Sequence, residues 1–444
     1  MTHDLVVIGA GPGGYTAAVR AARCGLKTAL VERERPGGVC LNWGCIPTKA
    51  LLRSAGLWQE LRGARRLGVK LGDSEFDYTA IQRRSRQTVD RLVKGLDQLF
   101  ESAGVELIAG EGRLDGPERV VAGERILEAP RVILATGGAP RPLPEVPFDG
   151  ERILSSRDAL ELREVPPRLL IIGAGAIGLE FADLFATFGS KVTVVEMLPQ
   201  ILPAEDPEVA RVLLSAFQKR GIKIHTSSRV STIRPEGEAL RAEIEGEAIE
   251  VDRVLVAIGV AAATEGLGVA CEHGFVATDE HLRTTAPGVY AIGDLTGPPL
   301  LAHVASAQGV HAAEHAAGLQ PMPYDPTWTP AAVFTHPAVA SVGEREDADR
   351  PVRVGRFPFS ALGRAVAEGE VAGLVKVVID PESERLLGAQ IVGPQAAELI
   401  APLTVAGRAR IPAGELLRTI WTHPTFSEAI AEAIGDALGR GIHV

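Results

Sequence analysis

Residues 5–32 read LVVIGAGPGGYTAAVRAARCGLKTALVE. Leu5 to Ile8 form an unbroken apolar run with the length of a buried strand. The run Gly9-Ala-Gly11-Pro-Gly-Gly14 follows at once. A helix rich in small residues is expected over 15–24, then a strand over 27–31 that ends at Glu32. This order predicts a βαβ unit that binds a dinucleotide. Gly9 makes the tight turn, Gly11 lets backbone approach a pyrophosphate, and Gly14 lets helix and strand pack closely. The helix N-terminus holds the phosphates. Glu32 is placed to accept hydrogen bonds from ribose hydroxyls.

The pattern recurs at 169–196, LLIIGAGAIGLEFADLFATFGSKVTVVE. Gly173, Gly175 and Gly178 repeat the loop, and the strand over 191–195 ends at Glu196, at the same spacing from its first glycine as Glu32. One such loop is a weak signal; two with matched acidic ends imply two nucleotides. A carboxylate at Glu196 repels a 2′-phosphate, and no arginine occurs from Met197 to Leu202 to receive one. NAD is therefore expected at the second loop rather than NADP.

Between the loops lies GGVCLNWGCIPTKALL, residues 37–52. A helix is expected to start near Cys45, with Pro47 in its first turn. A thiolate there faces the positive end of the helix dipole. Cys40, five positions earlier in the intervening loop, completes a pair that can cycle between dithiol and disulfide. A metal is not expected, since two further ligands at zinc-site spacing are missing. Cys24 and Cys271 read as packing residues. His423-Pro-Thr-x-x-Glu428 near the C-terminus adds an imidazole and a carboxylate suited to proton transfer. His336, in a similar Thr-His-Pro, has no carboxylate in that register and reads as structural. A disulfide exchanges electrons poorly with a nicotinamide, whereas a flavin handles both chemistries, which places FAD at the first loop.

The chain has 444 residues, 46% of them hydrophobic, and a net charge of −10 without charge blocks. That size suggests three to four domains. The dispersed negative charge argues against nucleic acid as a partner. No apolar run reaches the roughly 18 residues of a membrane span. The first strand begins almost at the N-terminus, so no signal or transit peptide is expected and the location reads as cytoplasmic. A proline-rich stretch at Pro140, Pro142, Pro144 and Pro147 looks like a linker. After about residue 326, β-rich runs (339–342, 352–359, 373–379, 386–392) precede helical ones (395–409, 412–421, 427–438), the order of an α+β domain.

Taken together, VVIGAGPGGYTAA, GGVCLNWGCIPTKALL, IIGAGAIGLEFA, VYAIGDL, LLAHVASAQG, FTHPAVASVG and THPTFSEA resemble the pyridine nucleotide–disulfide oxidoreductases over nearly the whole length. The resemblance implies an α/β fold of two Rossmann-like dinucleotide-binding domains followed by a C-terminal α+β dimerisation domain. Its divisions are 1–148 for FAD, 149–262 for NAD, 263–325 completing the FAD site, and 326–444 for the dimer interface. It implies further FAD contacts at Gly38, Lys49, Gly112, Asp294 and Ala302. It implies NAD contacts at Glu180, Val230 and Gly259 beside the second loop, with Glu180 also able to pair with Lys49. The implied activity is oxidation of dihydrolipoyl groups by NAD+, in a homodimer serving 2-oxoacid dehydrogenase or glycine-cleavage complexes. Cys40 exchanges with the substrate and Cys45 faces the flavin. His423 takes the thiol proton, Glu428 orients His423, and this pair completes the active site of the other subunit. The chain departs from the family pattern at Ile258-Gly-Val-Ala-Ala-Ala, at Gln308 and at Trp421, and 268–279 looks shortened. The rival readings are a reductase of another small disulfide using NAD(P)H, and a non-catalytic nucleotide-binding scaffold. Arginines after Glu196 would favour glutathione reductase, and a C-terminal cysteine pair would favour mercuric reductase; the chain has neither.

Overall fold

The computed structural model describes residues 2–116, 118–144, 146–346 and 350–443. The chain forms two compact units. One comprises Met1–Pro142, Ser155–Glu164 and Gly259–Asp325; the other comprises Leu143–Leu154, Val165–Ile258 and Pro326–Val444. The short helix Ser155–Glu161, inside the segment expected to bind NAD, thus packs in the first unit. So does the strand Val260–Ala262, which pairs antiparallel with Gly138–Pro140.

The first unit is built on five parallel strands in the order Val289–Ala291, Val132–Leu134, Leu5–Ile8, Thr28–Glu32, Glu106–Ala109. Successive side chains of a strand point to opposite faces. Leu5 and Val7 join a core with Ala17, Ala18 and Ala313, while Val6 and Ile8 join another with Val31, Leu127 and Leu134. Both faces are covered, which is why the run is continuous rather than alternating. Helices Pro12–Arg23 and Ala302–Ala316 pack so closely on one face that a Cβ at Gly309 would lie 2.4 Å from the Gly13 carbonyl oxygen. Arg20 Nε donates to Glu314 Oε1 at 2.8 Å and ties the two helices.

A further long helix, Tyr78–Ala103, starts at Asp77, whose side chain accepts from the Ala80 amide, and stops at Gly104 in the left-handed region. These are ordinary start and stop devices. The helix packs against Cys45–Gly63, the helix that the cysteine motif predicts. Cys40 is not in a loop, as expected, but within a short helix of its own, Gly38–Trp43. Gly44 separates the two helices. A side chain there would come within 3.1 Å of the Val39 carbonyl oxygen and 3.4 Å of Cys40 Cα, so glycine permits the bend.

The second unit repeats the parallel design with strands in the order Lys223–His225, Lys191–Val195, Arg168–Ile172, Arg253–Val256, Ile153–Leu154. Its C-terminal part is an antiparallel five-stranded sheet, ordered Ala331–Val333, Ala338–Gly343, Leu386–Gly393, Leu374–Ile379, Arg353–Pro358. Helices Ala396–Arg408 and Glu428–Ala437 cover it through Leu399, Leu403, Ile430 and Ile434. The expected helix over 412–421 is shorter, Ala413–Arg418, because Thr419 turns to extended backbone. Trp421 lies beyond it, with its Nε1 donating to the Leu416 carbonyl at 3.2 Å. The Lys376 ammonium is buried, 2.8 Å from Asp206 Oδ2 and 2.6 Å from Glu346 Oε2. The architecture is therefore α/β with two nucleotide-binding folds of one design and an α+β C-terminal domain.

Candidate functional site

The two glycine loops agree bond for bond. The Gly9 amide donates to Val31 O at 2.8 Å, and the Gly173 amide to Val195 O at 2.8 Å. Gly9 and Gly173 have φ of +100° and +103°, and a Cβ at either would collide with the carbonyl of Ala135 or Ala257. A Cβ at Gly14 would lie 1.8 Å from Gly9 O, and one at Gly178 2.0 Å from Gly173 O. Those glycines serve helix–strand packing. Gly175 has nothing within 4 Å of its Cβ position, and Gly11 only the Gly38 Cα at 4.0 Å. No packing demand explains these two, and the open cradle beside a helix N-terminus fits a pyrophosphate.

The acidic strand ends also match. Glu32 Oε2 accepts from the Ala10 amide at 2.8 Å and Oε1 from the Glu34 amide at 2.9 Å. Glu196 Oε2 accepts from the Ala174 amide at 2.8 Å and Oε1 from the Leu198 amide at 2.9 Å. Each carboxylate braces the amide that follows the first glycine and keeps lone pairs for ribose hydroxyls. This bracing role was invisible in the sequence, since it depends on how the strand end folds back onto the loop.

The cysteine segment docks on the first loop. The Gly37 amide donates to Ala10 O at 2.7 Å. Gly38, at φ +58°, lies so close to Gly11 that a Cβ would be 2.6 Å from the Gly11 Cα. Asn42, almost fully buried, donates from Nδ2 to the carbonyls of Pro36 at 2.9 Å and Gly38 at 3.1 Å. Asn42 lies within the motif, and no spacing rule foretells this role. Cys40 lies within hydrogen-bonding reach of Cys45. Its hydrogen bond with Cys45 pushes the Cys40 thiol far up, burial and the charge of Cys45 add to this, and Lys49 pulls it down. Cys45 is the first residue of its helix, where the positive end of the dipole favours a thiolate.

The remaining FAD residues expected from the resemblance gather in the same unit. Gly112 sits on the strand tips, where a Cβ would be 2.8 Å from Ile8 Cγ2. Ala302 is the first residue of its helix. Asp294 lies in the turn Gly293–Thr296, and burial raises its carboxyl pKa. A half-enclosed carboxylate of this kind can accept from a sugar-alcohol hydroxyl. Gln308 holds that turn, its Oε1 accepting from the Gly293 amide at 2.6 Å.

The residues expected to hold NAD are less concentrated. Val230 begins the strand Val230–Glu236 and packs on the core of the second unit. Glu180 is buried, and its Oε1 accepts from the Phe334 amide at 3.0 Å. Gly259, at φ +112° with nothing near its Cβ position, has its carbonyl taken by the Arg141 amide at 3.0 Å in the first unit.

His423 Nδ1 lies 2.8 Å from Glu428 Oε1, and the Thr425 amide donates to Glu428 Oε2 at 2.7 Å. Burial pushes the Glu428 carboxyl up, but the Thr425 amide and His423 bring it below its usual value. The carboxylate fixes the imidazole by Nδ1 and leaves Nε2 for a reacting proton. The His423 side chain is 78% exposed. His336 does meet a carboxylate, Glu370 at 3.4 Å, because the fold brings Glu370 from elsewhere in the chain. Cys271 is exposed rather than packed, since it lies in a two-residue surface strand.

The family model for pyridine nucleotide-disulphide oxidoreductase matches residues 3–309, and that of the dimerisation domain of the same family matches 329–434. A dihydrolipoyl dehydrogenase of Zymomonas mobilis is 45% identical, covering 99% of both chains. Another, of Chlorobaculum tepidum, is 44% identical over 98% of this chain and 97% of that one. The crystal structure of LpdA from Mycobacterium tuberculosis superposes with a TM-score of 0.90 at 32% identity, over 97% of this chain and 98% of that one. With both halves of the family's architecture matched, the chain belongs to the pyridine nucleotide-disulphide oxidoreductases.

Proposed function

We propose that the chain is a flavoprotein dihydrolipoyl dehydrogenase, oxidising dihydrolipoyl groups to the cyclic disulfide with NAD+ as acceptor. The observation that carries this reading is the docking of the Cys40–Cys45 pair on the first glycine loop through Gly37, Gly38 and Asn42. Bound FAD supplies the two-electron relay between the thiol pair and NAD+.

Gly9, Gly11, Gly14, Glu32, Gly38, Lys49, Gly112, Asp294 and Ala302 hold FAD. Gly173, Gly175, Gly178, Glu180, Glu196, Val230 and Gly259 hold NAD. A substrate thiolate attacks Cys40 of the disulfide and Cys45 leaves as thiolate. The second substrate thiol then displaces Cys40, so lipoyl disulfide forms as the enzyme pair is reduced. His423 accepts the thiol proton at Nε2 and Glu428 keeps the ring oriented. The exposure of His423 suits a site completed by a second copy, and the protein is a homodimer through residues 326–444. The division at 148, 262 and 325 follows these roles. The lipoyl groups belong to 2-oxoacid dehydrogenase or glycine-cleavage complexes in the cytoplasm. Among the described residues no helix is long and apolar enough to cross a membrane.

The test is NAD+ reduction by reduced lipoamide, with glutathione plus NADPH as the alternative couple. Cys45→Ser is expected to retain FAD and lose lipoamide turnover. Turnover close to that of the wild type in this variant would overturn the disulfide mechanism.

A further inference from the structure

Ser85 and Arg86 are neighbours on the helix Tyr78–Ala103, outside every nucleotide and redox motif. Ser85 is buried, and its Oγ donates to the Pro47 carbonyl at 3.1 Å. Arg86 Nη1 donates to the Asn42 carbonyl at 3.0 Å and to Glu161 Oε1 at 3.1 Å. The two carbonyls lie on opposite sides of the Gly44 bend. Asn42 is on the short helix that carries Cys40, and Pro47 is on the helix that begins at Cys45. Adjacent residues of one helix therefore grip the two cysteine-bearing segments, one each.

Arg86 holds its place at a cost. Its Nε and Nη2 are buried without a partner among the described residues. A buried donor left without an acceptor loses its hydrogen bonds to water and gains none in return. An ion pair with half-exposed Glu161 does not require a guanidinium drawn in this far. What the position does provide is a donor for a carbonyl at the end of the Cys40 helix, where no intrahelical partner exists. Disulfide geometry is narrow, so the stability of the pair depends on how well the two sulfurs are held in reach of each other.

We propose that Ser85 and Arg86 are positioning residues for the Cys40–Cys45 pair, fixing the two helices across Gly44 and thereby the reduction potential of the disulfide. The inference rests on the redox role given to the pair above. It is tested by equilibrating the FAD-loaded enzyme anaerobically against mixtures of reduced and oxidised dithiothreitol. Thiols are trapped with N-ethylmaleimide and the 37–52 segment is read by mass. When the Cys40–Cys45 bond forms, two electrons and two protons pass to oxidised dithiothreitol, whose own S–S bond breaks.

Arg86→Met is expected to lower the equilibrium constant for disulfide formation by roughly tenfold, about 30 mV for a two-electron couple. Arg86→Lys retains a donor and restores most of it. Ser85→Ala shifts it the same way by less. Arg84→Gln loses a bond to Ala50 O, 3.1 Å long and a turn further from the cysteines, and stays within about twofold. If Arg86→Met fails to retain FAD, Ser85→Ala and Arg86→Lys carry the decision. Unmoved constants in folded variants overturn the proposal. So does a more stable disulfide in Arg86→Met, which would mean that the charge acts rather than the grip, or an equal shift in Arg84→Gln. A wild-type pair that never oxidises sinks the redox reading as well, whereas a cycling pair with unmoved variants sinks this inference alone.

Discussion

At the first glycine loop, Gly13 lies beneath the helix Ala302–Ala316, where a Cβ would meet the Ala305 carbonyl oxygen at 2.9 Å and Ile292 Cδ1 at 3.0 Å. At the second loop the matching residue is Ile177, which is 39% exposed. The Gly11 backbone faces Gly38 of the redox segment, whereas the Gly175 position faces open space. Two loops with the same strand registers, the same amide bonds and the same bracing carboxylate thus differ in what covers them. A covered loop suits a nucleotide that stays, and an open one suits a nucleotide that enters and leaves each turnover. The two loops share one design, and what lies over each distinguishes them.

The largest expected effect comes from crowding the covered loop. Gly38→Ala puts a methyl 2.6 Å from the Gly11 Cα at φ +58°. It should strip FAD and lower lipoamide activity by about a hundredfold or more, as misplacement of a reacting group by an ångström can. Gly175→Ala meets nothing and should fold and keep FAD, but raise the KM for NAD+ by roughly tenfold as the pyrophosphate loses its close approach. Flavin absorbance per chain and steady-state kinetics separate the two. Loss of FAD from Gly175→Ala would break the contrast.

The bracing carboxylates sharpen it. The wild type should prefer NADH over NADPH by at least roughly tenfold in catalytic efficiency, 1.4 kcal/mol or more. Glu196→Ala should narrow that gap, while Glu32→Ala should leave the preference alone and weaken FAD retention. Equal efficiency with both nucleotides in the wild type would refute the role of Glu196. A smaller effect is expected under the covering helix. Gly13→Ala must push Ile292 or the Ala305 carbonyl aside and should cost about 1 kcal/mol in unfolding free energy. Ile177→Ala, at the exposed equivalent, should cost under about 0.5 kcal/mol. Matched denaturant melts of the two variants decide this.

The sequence made the loops and their strands readable because local rules govern both. An unbroken apolar run before a glycine turn means a strand buried on two faces, and the strand expected over 191–195 is the strand observed. Residues whose role depends on distant chain stayed hidden. Ser85 and Arg86 reach carbonyls some forty residues back, and no periodicity reveals that. Cys40 reads as a loop residue because the six residues Gly38–Trp43, flanked by Gly37 and Gly44, are too few for a helical pattern to show. Cys271 reads as a core residue because cysteine usually is buried, but it lies in a two-residue surface hairpin with Phe275–Val276 and is exposed.

The contrast extends to acid, where the smallest effect is expected. In the first unit His281, His311 and His315 form one cluster. The His281 and His315 rings stack at 4.6 Å, His281 Nδ1 is 3.4 Å from His311 Nε2, and Tyr290 Oη is 3.0 Å from His315 Nδ1. Burial lowers the pKa of His311 and His315, and neighbouring imidazoles lower both further. Arg283 also lowers that of His315, against the opposing pull of Asp279 on both and of Glu314 on His311. A depressed histidine contributes stability that is whole above its ordinary pKa of about 6.5 and is lost as pH falls through the lower folded value. In the second unit, burial alone would raise Asp206, but Lys376 and the Glu208 and Val209 amides bring it below the ordinary carboxylate value. Its contribution is whole above about pH 3.9 and is lost only below that. Between pH 7.5 and 5.5 the first unit should therefore loosen while the second holds. Hydrogen exchange of the FAD-loaded enzyme, corrected for intrinsic rates, should show protection over 302–316 falling a few-fold, each unit of pKa depression being worth up to about tenfold. Protection over 207–219 and 374–379 should stay level. His311→Gln with His315→Gln should abolish the difference. Equal loss in both units, or loss in the second unit first, would mean that the histidine cluster does not set the acid response.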